Sequence, residues 1–92
     1  MKDNNKYMTD EQFNTTGTMY VFAVYANRKD ADWQRNAKEV LSWCNNDITR
    51  HEGQLLLQGL AAGASVRYKN PYAVLYAVTS DGTSKQLSSC SY

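Results

Sequence analysis

Residues 18–26 read TMYVFAVYA, nine residues without a charge. In an extended chain Met19, Val21, Ala23 and Tyr25 share one face, while Tyr20, Phe22, Val24 and Ala26 share the other. Both sets are apolar, the pattern of a strand covered on both sides. A sheet is therefore expected, with this strand inside the molecule's apolar volume.

Outward from it, residues 72–79 repeat the pattern. Tyr72, Val74, Tyr76 and Val78 alternate with Ala73, Leu75, Ala77 and Thr79. Asp81-Gly82 is a two-residue hairpin signal, and it predicts a third strand over residues 84–91. The serines and Lys85 of that strand suit a solvated edge. Residues 66–69 read as a short extended piece before the Asn70-Pro71 turn.

Helical signals fill the rest. Thr9 with Gln12 makes a capping box, and Met8 with Phe13 a hydrophobic staple, so one helical turn is expected at residues 10–14. Asp30 is a good N-cap, Asp32 suits the first turn, and Trp33, Ala37, Val40, Leu41 and Cys44 recur at helical spacing. This predicts a helix over residues 30–45. Thr49 and Glu52 form a second capping box, opening a helix over residues 50–62 with Gly63 as its C-cap. Gly53 and Gly59 weaken that helix by roughly 1 kcal/mol each relative to Ala, which keeps a strand at residues 54–58 open. Gly59 and Gly63 leave room for close backbone approach.

The expected architecture is α+β: a small antiparallel sheet of about three strands in β-α-α-β-β order, with two helices on one face. Residues 1–92 make one domain, comprising an N-terminal segment over 1–17 and the α+β core over 18–92. The simplest strand order puts residues 18–26 at an edge. That conflicts with their composition, because an edge apolar on both faces and free of charge invites pairing. A second copy joined along this strand, or the N-terminal segment with Tyr7, Met8 and Phe13, would resolve the conflict. A homodimer is the expectation, with Val21→Lys or Val24→Lys giving a folded monomer.

Composition narrows the function classes. About one residue in six is Leu, Ile, Val or Phe, yet the net charge is only +1, and seven Tyr, two Trp and three Met add apolar volume. The chain should fold rather than remain disordered. Residues 1–17, 18–49 and 50–92 carry −1, 0 and +2, so the sequence contains neither a basic tail nor an acidic block. The start lacks an apolar leader and no stretch reaches membrane-spanning length, so a cytoplasmic location, no membrane association and two free thiols are expected. Asn14-Thr15-Thr16 fits a glycosylation acceptor only incidentally.

Catalytic and metal constellations are missing from the sequence. His51 is the single histidine, and Cys44 and Cys90 lie forty-six positions apart, too far for paired zinc ligands. Cys44 falls on the expected helical stripe and reads as a buried structural thiol. Chemistry by Cys44 with His51 would be the exception to a non-enzymatic reading that needs no cofactor.

The tyrosines are out of proportion. Tyr20, Phe22, Val24, Tyr72 and Tyr76 lie on the two best strands, and Arg28, Lys29, Arg67 and Lys69 supply two loose basic groups. Together they are the candidate binding residues. Aromatic side chains are enriched at protein interfaces, which favours a small interaction protein of inhibitor or adaptor type that binds a protein partner. Inhibitors encoded by phages and other mobile elements are the background for that reading. A nucleic-acid or nucleotide binder, stacking bases on the sheet tyrosines beside the Arg/Lys groups, is the alternative.

Overall fold

The computed structural model describes residues 5–32 and 35–92. Four antiparallel strands form one sheet: β1 (Met19–Tyr25), β2 (Ala37–Trp43), β3 (Tyr72–Val78) and β4 (Ser84–Ser91), in the order β2-β1-β3-β4. Two helices, α1 (Asp10–Thr15) and α2 (Arg50–Ala64), complete an α+β fold. The shortest dimension is 16 Å, enough for one sheet and one helical layer.

The expected helix over residues 30–45 is not formed. A 3-10 turn at Arg28–Asp30 precedes Asn36, whose positive φ of 60° turns the chain into β2. The Trp33 part of the expected helical stripe lies outside the described residues. β2 pairs with β1 from Tyr20↔Trp43 to Tyr25↔Ala37, with an irregularity between Val24 and Tyr25. β3 pairs with the other side of β1 from Met19↔Val78 to Tyr25↔Tyr72. The physical reason is the backbone of β1. A buried strand must satisfy its N–H and C=O groups on both sides, and that demand outweighs the helical spacing of Ala37, Val40 and Leu41.

Hence β1 is central and β2 and β4 are the edges, so residues 18–26 offer no free edge along which a homodimer could pair. Val21 and Val24 are buried, and a lysine at either would enter the core instead of freeing a monomer.

Both capping boxes are present. The Thr9 hydroxyl accepts from Gln12 N and the Gln12 side chain from Thr9 N, each at 3.1 Å. Thr49 and Glu52 repeat this at the same distances. The stretch 54–58 is helix, and α2 runs on through Gly63 to a Ser65 C-cap, so Gly63 is not the cap. Residues 66–69 form turn and loop instead of an extended piece.

Phe13, Tyr20, Phe22, Val24, Ile48, Leu57, Ala61, Ala64, Ala73, Leu75 and Ala77 make the core beneath α2. The N-terminal segment packs on this side: the Tyr20 ring lies 5.0 Å from Phe13 and 5.9 Å from Tyr7. Asn46 ties the pieces together. It accepts from the Tyr20 hydroxyl at 2.6 Å and donates to Met8 O and Asp10 Oδ1, both at 2.9 Å.

The opposite face is covered differently from expectation. Ala23, Tyr25, Tyr72, Val74 and Tyr76 form a second buried cluster, joined by Ala31, Ala37 and Val78. The sheet's own tyrosines and the segment after β1 cover it; Tyr7, Met8 and Phe13 do not reach it. The β3–β4 hairpin is also longer than a two-residue turn. Thr79 N bonds Thr83 O at 2.9 Å, leaving three residues at the tip with Gly82 at φ 89°.

Candidate functional site: an apolar groove between β2 and α2

Helix α2 buries Leu57, Ala61 and Ala64 against the sheet and Gly53 against the Tyr7 ring. It lies over β3 and β4, touches β1 and scarcely reaches β2. The helix-side face of β2 carries Glu39, Leu41 and Trp43, because these residues pair with the inward-facing Val24, Phe22 and Tyr20. One strip of this face therefore has no helix above it.

That strip is a groove. Its wide end, about 440 Å³, is lined by Trp43, Asp47, Ile48, Glu52, Leu55 and Leu56. A second, smaller hollow of about 170 Å³ lies farther along β2, against Leu41, Glu39 and Val40, with Phe22 and Val24 as floor and Leu60 as wall. Leu41 is 43% exposed and Leu55 53%. The helical wall arises from three consecutive leucines. Successive helical residues turn by about 100°, so Leu57 faces the sheet, Leu56 the flank and Leu55 solvent.

The polar rim is acidic at the wide end. Trp43 Nε1 donates to Asp47 Oδ1 at 2.6 Å, which fixes the indole as the end wall. Glu52 spends one carboxylate oxygen on the Thr49 cap. Among the described residues no cation lies within ion-pair distance of Asp47 or Glu52. At the narrow end Arg67, just beyond α2, pairs with Glu39 and spans the gap between helix and edge strand.

The residues selected from sequence fall elsewhere. Tyr20, Phe22 and Val24 are buried, and Tyr72 and Tyr76 are only 7% and 6% exposed. These rings form core and are not presented as a stacking platform. Phe22 and Val24 do reach the groove floor. Arg28 lies over the Tyr72 ring at 5.6 Å, and Arg67 over Tyr68 at 5.9 Å. Lys29 and Lys69 are exposed. The structure brings neither basic group together with an open aromatic face.

Cys44 is exposed rather than buried, because β2 replaces the helix whose stripe would have covered it; its Sγ lies 3.8 Å from Met19 Sδ. His51 is exposed on the first turn of α2, and no hydrogen bond joins it to Cys44. Among the described residues no three His, Cys, Asp or Glu side chains are grouped to hold a metal. Nor is any described helix long and apolar enough to cross a membrane.

Sequence reasoning missed Leu41, Trp43, Leu55 and Leu56. One signal was available in Leu55-Leu56-Leu57, since a helix buries a single stripe and cannot turn three adjacent leucines into one core. Compared with known protein families, curated proteins and solved structures, the chain matches none.

Proposed function

We propose that the protein is a non-catalytic interaction module that holds a protein partner in the groove between β2 and α2. The observation that supports this reading is the exposed apolar surface on both sides of the gap, Leu41 on the uncovered edge strand and Leu55 on the helix, with Trp43 walling one end. Isolated surface leucines are ordinary, but contiguous apolar surface rimmed by polar groups marks interaction sites. Such a module acts by occupancy, as an inhibitor or adaptor does. We take its setting to be cytoplasmic; two unpaired thiols, one of them exposed, support that.

The nucleic-acid reading has less support. Its rings are buried, and Arg67 is already engaged by Glu39.

Quantitative capture of partners from the protein's own cells, by wild type and by Leu41→Lys, tests the proposal. A defined partner lost with Leu41→Lys but kept with the outer-face variant Gln86→Lys is the expected result. Equal capture by all three would overturn it, and capture that falls steeply with salt and after nuclease treatment would favour nucleic acid.

A further inference from the structure

Resting on that reading, we infer that the occupant of the groove is an amphipathic helix of the partner, apolar on one face and carrying Lys or Arg beside it. Three features converge on this. The first is space. Strands lie about 4.8 Å apart and α2 sits over β3 and β4, so β1 and β2 together leave roughly 10 Å of sheet without a helix above it. Packed helices lie about 8–10 Å apart. A second helix seated beside α2 thus falls over β1 and β2 and completes the helical layer. An extended peptide added to the β2 edge would instead lie beyond the strip and leave it uncovered.

The second is the flank of α2. Glu52, Leu56, Gly59 and Gly63 follow the i, i+4, i+7, i+11 stripe, and Glu52 and Leu56 line the groove. A Cβ built on Gly59 or Gly63 would meet nothing within 4 Å. Neither glycine serves internal packing, yet each costs the helix about 1 kcal/mol relative to Ala. Bare backbone along this flank lets a neighbouring helix approach more closely than side chains would allow.

The third is charge. Asp47 and Glu52 stand at the wide end without a cationic partner among the described residues, although the chain as a whole carries +1. A basic side chain flanking the apolar stripe of the guest meets both exposed carboxylates at the rim and sets its orientation.

The probe is a synthetic peptide of roughly four helical turns, leucines on one face and lysines on the other, with a twin carrying glutamates for the lysines. Binding is followed by backbone amide shifts in the isotope-labelled protein. The lysine peptide should shift the amides of Leu41, Trp43, Leu56, Gly59 and Gly63 and bind at least tenfold more tightly than its twin. The double variant Asp47→Asn, Glu52→Gln should bind it several-fold more weakly while keeping the Trp43 acceptor and the capping box. Gly59→Ala and Gly63→Ala should each weaken binding while raising the melting temperature. That pairing of opposite signs separates a contact effect from misfolding.

Equal affinity for the two peptides overturns the basic guest. Unchanged affinity in both glycine variants overturns the close helix. Shifts confined to the β2 edge, or none at all, overturn the helical occupant. In each case, capture of a defined partner that still depends on Leu41 would leave the broader groove reading standing.

Discussion

The hydroxyls of Tyr25 and Tyr76 meet at 2.8 Å on the face of the sheet away from α2. Tyr25 pairs with Tyr72 and Tyr76 with Val21, so the two residues stand four register positions apart on neighbouring strands, roughly 13 Å. To touch, each side chain must lie along the sheet toward the other, across the Ala23–Val74 pair between them. Tyr25 donates onward to Asp32 O at 3.0 Å, so its oxygen accepts the Tyr76 proton. Burial and that donated hydrogen bond hold the Tyr76 phenol well above its ordinary pKa.

Tyr76→Phe should therefore cost about 1 kcal/mol, the usual net worth of one hydrogen bond, and lower the melting temperature by roughly 4–8 °C. It should leave partner capture unchanged. Calorimetry alongside capture checks both halves, and loss of capture in a folded Tyr76→Phe protein would place the binding face on the wrong side of the sheet.

Three glycines in one helix give opposite expectations. A Cβ on Gly53 would strike the Tyr7 phenol, which sits between α2 and the Tyr20 ring. Gly53→Ala should destabilise the fold by about 1–2 kcal/mol through overpacking. Gly59→Ala and Gly63→Ala meet open space and should each stabilise it by up to about 1 kcal/mol. Urea unfolding of the three variants decides this, and destabilisation at Gly59 or Gly63 would mean that the flank is not open.

Alkaline and acid limbs of stability have separate origins. Burial, then the neighbouring Tyr7, pushes Tyr20 up to about 12. A folded-state pKa above the unfolded value of about 10 means stability that is complete below pH 10 and lost as pH rises toward 12. Tyr20→Phe should flatten that loss in a pH series of unfolding midpoints. In the β3–β4 turn, hydrogen bonds from the Thr79 hydroxyl and then the Thr83 N–H bring Asp81 down to about 2. Its contribution is present above about pH 4 and fades as pH falls toward 2. Asp81→Asn should blunt the acid limb only; a change in the alkaline limb would contradict the assignment.

Thiol reactivity follows from the edge position of the chain after β2. Cys44 is exposed and Cys90 half-buried, so Cys44 should react first with a maleimide in the folded protein. Mass spectrometry of the singly labelled species checks the order. Faster labelling at Cys90 would argue that residues 37–44 are covered as the helical reading expected.

The elements with strong local chemistry were legible. Both capping boxes announce α1 and α2, and the two-faced alternation of residues 18–26 and 72–79 announces β1 and β3. β2 was hidden because Ala37, Val40, Leu41 and Cys44 satisfy helical spacing, while Glu39, Leu41 and Trp43 satisfy strand alternation with equal economy. What breaks the tie is long-range: β1 has two polar edges to fill, and β3 fills only one. The conflict was visible as an edge strand too apolar to be an edge, but a second copy and a fourth strand answer it equally well from sequence. The groove depends on β2 and could not be read before it, whereas the tyrosines read equally as core or as recognition surface, because nothing local shows them lying flat over Ala23 and Val74.

Site-specific photo-crosslinking in the protein's own cells shows which face of the sheet meets the partner. A photoreactive residue replaces Leu55 at the mouth of the groove or, in a second variant, Gln86 on the outer face. A single protein adduct from position 55, abolished by Leu41→Lys and absent from position 86, is the predicted result. Adducts from position 86 alone, or from position 55 regardless of Leu41, would contradict the account.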